Sequence, residues 1–392
     1  MKIAFKEFVD FVKPLFSEYK MTIPLHDPRF IGNEKEYLLD CLDSNFVSSI
    51  GEYVSKFEKL CADYTGAEYA IATVNGTAAL HISLILSGVK SGEEVITQPV
   101  TFIATANAIA YTGAHPVFTD VDKETMGLSP TKLYDFLKNN TFKGKDNFTY
   151  NKKTRRKISA CLPMHSFGFP CKIDEIQDIC DEFNLILIED AAESLGSFYH
   201  NKHTGLFGKF ATLSFNGNKI ITTGGGGMIL TSDEKLAKKA KHLTTQAKVQ
   251  HPWEYAHDEV GYNYRLTNLS ASLGCAQIEN LEHFVTEKRI LASKYKEFFK
   301  GSPIRYFEEP ANCRSNYWLN AIVLKDRNER DEFLKFTNDN GVMTRPIWQL
   351  MNSLPMFEQC ECSDLSNSIW LADRVVNIPS SVPIHDYYPK KK

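Results

Sequence analysis

The chain has 392 residues, a mass of 44.5 kDa and a formal net charge of −3. At about 150 residues per domain it predicts two to three domains, with enough buried surface to need no disulfides. A hydrophobic share of 43% and a charged share of 24% exclude a disordered or fibrous protein, and the balance lacks the basic excess of a general nucleic-acid binder. Nine cysteines, an odd number without framework spacing, read as free thiols of a reducing compartment. Cys360-Glu361-Cys362 has no second pair near it, so no metal site is expected. Met1 to Lys20 lacks the apolar run of a signal peptide, and Val95 to His115 is too polar for a membrane helix. The expectation is a cytoplasmic protein that engages neither membrane nor nucleic acid.

Phe5 to Tyr19 has a helical apolar rhythm and reads as an added N-terminal helix outside any core. Asn33 to Leu42 and Tyr53 to Tyr64 read as amphipathic helices. Strands and helices then alternate: a strand at Tyr69 to Val74, a helix at Thr77 to Leu86, a strand at Glu94 to Thr97, a helix at Ala104 to Tyr111. Pro116 to Thr119 is strand-like, and Ser129-Pro130 opens a helix to Asn139. Ile158 to Met164 and Leu185 to Ile188 frame a helix at Asp174 to Phe183. Apolar runs separated by helices argue for an open, mainly parallel α/β sheet. The basic stretch Thr141 to Lys157 reads as a solvated insertion. The expected organisation is a helical extension at residues 1–22, a large domain at 23–278 and a smaller α+β domain at 279–392.

Three features carry chemistry. The Leu185–Ile188 strand runs into Glu189-Asp190-Ala191-Ala192-Glu193, and ligands sit beyond the carboxyl ends of such strands. An acid there also serves as a plain helix cap. Lys219 follows a short strand at Ala211 to Phe215 and precedes four glycines, Gly224 to Gly227. Those glycines are not a P-loop, because Met228 follows where Lys and Ser or Thr would be needed; a tight turn into a strand fits better. Asn75-Gly76-Thr77-Ala78 opens a helix, where Gly76 permits close approach and Thr77 and Ala78 present amides to an anion. Each feature alone serves plain folding equally well. Together they are a phosphate seat, an acid and a lysine, the set that pyridoxal phosphate requires.

These residues, with Thr101–Asn107, Ser214–Lys219 and Gly261–Thr267, stand in the order and spacing of one family. The chain resembles the DegT/StrS nucleotide-sugar aminotransferases, which have the pyridoxal phosphate-dependent transferase fold type I. The resemblance implies that Lys219 forms the Schiff base and Asp190 pairs with the pyridine nitrogen. It implies that Phe102 stacks on the ring and that Gly76, Thr77, Ala78 and Ser214 hold the phosphate. Asn263 would reach the phosphate of the other subunit, which makes a homodimer with shared active sites. Glu193 stands where many relatives have His or Gln, facing the cofactor. Within the family, Pro24–Gly32, Val47–Gly51 and Met343–Trp348 resemble enzymes acting at C4 of a UDP-linked 4-keto-6-deoxy-N-acetylhexosamine, in routes to legionaminic-acid-type sugars. Glutamate is the implied donor, and a GDP- or dTDP-linked keto sugar is the alternative substrate. Arg345, Trp348, Arg265 and His165 are the candidate substrate contacts; Arg345 could equally form a structural ion pair and His165 could be a core histidine. Lys219 excludes the dehydratases of the family, which carry histidine there, and leaves a non-catalytic regulator as the other class.

Overall fold

The computed structural model describes residues 2–383. Its central sheet orders seven strands as Tyr69–Thr73, Gly227–Thr231, Phe210–Ser214, Ile186–Asp190, Lys157–Leu162, Glu94–Thr97 and His115–Phe118. The last five run parallel to one another. Gly227–Thr231 is antiparallel to both its neighbours, so Tyr69–Thr73 points the same way as the five. The sheet is therefore mainly parallel, as expected.

Its apolar runs exist because helices cover both faces. Ile188, Leu162 and Val95 pack on one side with Leu80, Ile82 and Leu243. Their strand neighbours Leu187, Cys161 and Ile96 pack on the other with Leu133, Leu137 and Ile176. One residue's step along a strand changes the face, so every inner strand must be apolar at each position. Six co-directional strands also bring six carboxyl ends to one edge. Local chemistry sets the helix starts: Ser129 and Thr267 accept the amides of Lys132 and Ser270, at 3.4 and 3.2 Å.

A second, antiparallel sheet orders Arg305–Tyr306, Asn320–Val323, Val375–Ile378 and Arg345–Pro346. It lies with the helices Leu281–Phe299 and Arg327–Asp339.

One expectation is corrected and one refined. The N-terminal helix, Lys2–Leu15, is part of the core: Phe5, Phe8, Val9 and Val12 are buried. Phe8 lies 5.2 Å from the Phe333 ring and 5.9 Å from that of Phe299, so the helix packs on both C-terminal helices. An apolar stripe at helical spacing has to be covered, and its partners, Phe299 and Phe333, lie near the other end of the sequence. The stretch after Thr141 is mostly exposed, as expected of a solvated insertion, but it is ordered as strands. Thr141–Lys143 and Thr149–Asn151 form a hairpin whose second strand joins Lys157–Leu162. Asn151 is buried and donates to Glu94 at 3.0 Å, while Lys153 and Lys157 pair with Glu361 and Glu93. Among the described residues no helix is long and apolar enough to cross a membrane.

Truncating a fully buried aromatic ring costs about 3–5 kcal/mol, and Phe8→Ala is expected to lose that much. Chemical denaturation checks this; an unchanged midpoint would return the helix to the status of an appendage.

Candidate active site

The carboxyl ends of the parallel strands supply the site. After Tyr69–Thr73 the chain turns at Asn75, whose Oδ1 accepts the Ala78 amide at 2.8 Å and caps the helix Gly76–Leu86. This corrects the part expected of Ala78: its amide is already taken. The amides of Gly76 and Thr77 find no acceptor among the described residues, and both residues line a cavity of about 670 Å³. They lie at the positive end of the helix dipole, an anion seat. Two glycines make the seat sterically feasible. A Cβ on Gly76 would stand 3.0 Å from Ser214 Cβ, and one on Gly227 would stand 2.5 Å from the Asn75 carbonyl carbon. The glycine run thus lies beneath the Asn75 turn, with Gly224 at φ +78° providing the bend before the strand.

Asp190 ends the strand Ile186–Asp190, is 2% exposed and lines the same cavity. No helix begins after it, so it is not a cap. The Thr105 hydroxyl donates to Oδ2 at 2.7 Å and the Ala192 amide to Oδ1 at 3.2 Å. Burial raises its pKa, and these two hydrogen bonds offset only part of that rise. No cation pairs with it directly among the described residues.

Lys219 is 8% exposed, with Nζ 3.1 Å from Glu193 Oε1 and 4.0 Å from the centroid of the Trp318 ring. Glu193 is likewise buried, and its other oxygen accepts the Phe167 amide at 2.8 Å. Burial lifts its carboxyl to about 7 against the opposing pull of the Lys219 charge. Phe102 and Ser214 line the same cavity, Phe102 half-exposed at the start of the helix Ile103–Tyr111. Arg345 and Trp348 reach it from the second sheet, with Trp348 against the Phe167 ring at 4.5 Å.

The chain's own cavity does not receive the other three candidates. His165 is fully buried, its Nε2 3.0 Å from Glu189 and its Nδ1 3.2 Å from the Cys171 amide, a core histidine rather than a substrate contact. The reason is strand alternation: Glu189 and Asp190 face opposite sides, and His165 follows Glu189. Arg265 is turned to Asn263 and Gln246 instead, donating to their side-chain oxygens at 3.3 and 3.1 Å. Asn263 lies beside it on an exposed segment. The sequence reasoning passed over Trp318 and Thr105. Thr105 stood in a motif already singled out, whereas a lone Trp318 carried no signal.

The DegT/DnrJ/EryC1/StrS aminotransferase family matches residues 29–387. The chain belongs to that family. A GDP-perosamine synthase from Escherichia coli O157:H7 is 37% identical over 360 residues, covering 91% of this chain and 93% of the relative. Another from Vibrio cholerae is 36% identical, covering 91% and 94%. Among solved structures, the aminotransferase TlmJ from Streptoalloteichus hindustanus has a TM-score of 0.84 at 26% identity, over 93% of this chain and 95% of that one. The chain is thus a pyridoxal phosphate-dependent nucleotide-sugar aminotransferase of fold type I. Its residues fit the cofactor: two unclaimed amides at a helix start, glycines that clear the approach, a buried carboxylate without a direct cation and a placed amine.

Glu189, which anchors this edge of the sheet from its other face, yields a stability prediction. It accepts the amides of Gly205, Phe207 and Gly208 besides meeting His165. Burial raises its pKa, but the His165 contact and the Gly208 and Gly205 amides outweigh this and leave it lowered. A lowered carboxylate contributes stability above its ordinary value, and that stability is lost as pH falls through the folded value. Glu189→Gln sets an amide NH₂ against amide donors and is expected to cost about 3 kcal/mol or more at neutral pH. Denaturation across acid pH should show the wild-type advantage shrinking; a constant gap would refute the assignment.

Proposed function

We propose that this enzyme transfers an amino group, with glutamate as donor, to C4 of a nucleotide-linked 4-keto-6-deoxy sugar for a bacterial surface glycan. The observation that carries the reading is one cavity lined by Lys219, Asp190, the amide seat and Arg345. GDP is the favoured nucleotide, because GDP-perosamine synthases cover nine-tenths of the chain at 36–37% identity. The UDP-linked N-acetylhexosamine of the legionaminic-acid type is the second reading, supported by the resemblance at Pro24–Gly32 and Met343–Trp348.

When bound, the cofactor supplies an electron sink next to the carbon that gains or loses the amine. The chain's residues do the rest. Gly76 and Thr77 amides, with Ser214, bind the phosphate, and Phe102 covers a ring face. Asp190 holds the proton on the ring nitrogen, itself fixed by the Thr105 hydroxyl. Lys219 would hold the cofactor through its amine and, once released, would carry the proton at the substrate carbon. Arg345 has no ion-pair partner among the described residues, which frees its fork for a diphosphate. Trp348, set against Phe167, offers an aromatic face to the nucleotide sugar.

A second copy of the chain would complete the site through Asn263. In support, the preceding segment exposes Trp253, Tyr255 and Val260, each at least 79% accessible, apolar surface that a partner would cover.

Lys219→Ala should lower turnover by at least about 100-fold, the low end for a placed general base. Asp190→Asn should retain bound cofactor and turn over slowly. A product assay with GDP- and UDP-linked 4-keto-6-deoxy sugars plus glutamate decides the nucleotide; turnover of neither would sink the reading. Mixing Lys219→Ala with Asn263→Ala chains should give more activity than either alone, since one mixed site then carries neither lesion. A fully active monomer would dismiss the partner.

A further inference from the structure

The free amine of Lys219 has two walls that come from distant parts of the chain. One is the Glu193 carboxylate, from the loop after Ile186–Asp190; the other is the face of Trp318, just before Asn320–Val323. An ammonium is drawn to both a carboxylate and an aromatic face, and together they fix a point charge on an otherwise flexible stem.

Each wall is held in turn. Phe167 directs its amide at Glu193 from φ +58°, a left-handed conformation that a bulky residue keeps only where its surroundings impose it. The Trp318 ring N–H donates at 2.7 Å to the carbonyl of Asn218, the residue before Lys219. Asn316 ties the two walls together: its Oδ1 accepts the Trp318 amide at 2.8 Å, and its Nδ2 donates to the Glu193 carbonyl at 2.9 Å. This amount of support is unneeded if Lys219 is merely tethered through its own backbone.

We infer that Glu193 and Trp318 form a cage that holds and shields the Lys219 amine whenever it is not covalently engaged. The inference rests on the aminotransferase reading of Lys219. Both Glu193 and Trp318 act on the Lys219 amine as positioning residues. The other ionisable groups facing the pair are Asp190, whose charge also acts on both, and His26, whose ring burial keeps neutral.

The test is amine labelling of the full-length chain with acetic anhydride across pH, without added cofactor, read by peptide mass spectrometry. The exposed Lys59 is the internal reference. Removing the carboxylate in Glu193→Gln should free the amine from this contact and raise its neutral-pH labelling ~10-fold. Trp318→Leu should raise labelling as well, Trp318→Phe less because a ring face remains, and Glu193→Asp should keep most of the wild-type protection. Lys219 labelling unchanged in both Glu193→Gln and Trp318→Leu would overturn the cage. In parallel, the visible absorbance of the same chains loaded with pyridoxal phosphate is titrated. A chain that acquires no visible band refutes the aminotransferase reading of Lys219, while the labelling reports on the cage independently.

Discussion

Asp190, Glu193 and Lys219 are 2%, 3% and 8% exposed within one cavity, and a charge taken out of water survives only with partners. That constraint organises the molecule. Lys219 and Glu193 answer one another, and Glu193 draws a backbone amide from Phe167. Asp190 has only a hydroxyl and an amide, so its charge is the least compensated of the three. The shortfall is what a protonated ring nitrogen would make good. Two carboxylates a few residues apart are thereby driven to different work by different neighbours.

The sheet makes this concentration of charge tolerable by separating what the strand brings together. Glu189 and Asp190 are adjacent in the chain and on opposite sides of the sheet. Glu189 is consumed by three amides and His165 and stabilises the fold, while Asp190 is left to the cavity. Parallel strands collect these ends on one edge, and the antiparallel Gly227–Thr231 brings glycine beneath the Asn75 turn. A side chain at that point would collide with the Asn75 turn and push it away.

The second sheet is part of the active cavity rather than an outrigger. Trp318 closes on Lys219 and grips the carbonyl before it, and Arg345 and Trp348 line the same cavity. The N-terminal helix stabilises that same body, through Phe8 against Phe299 and Phe333. Residues from both ends of the chain therefore support the wall that faces the reactive amine.

By itself the sequence determined the alternation of strands and helices, the mainly parallel sheet and the association of Lys219, Asp190 and Gly76-Thr77. Those features are local: apolar period, cap chemistry and motif spacing are written within a few residues of each other. The hairpin after Thr141 escaped because strands of three residues have no period to read. The burial of the N-terminal helix escaped because its partners, Phe299 and Phe333, are distant in sequence. Tertiary structure alone decided that His165 belongs to Glu189, that Ala78 has spent its amide on Asn75, and that Trp318 and Glu193 meet at Lys219. Side-chain direction and long-range closure settle such matters, and neither is encoded in the type of any single residue.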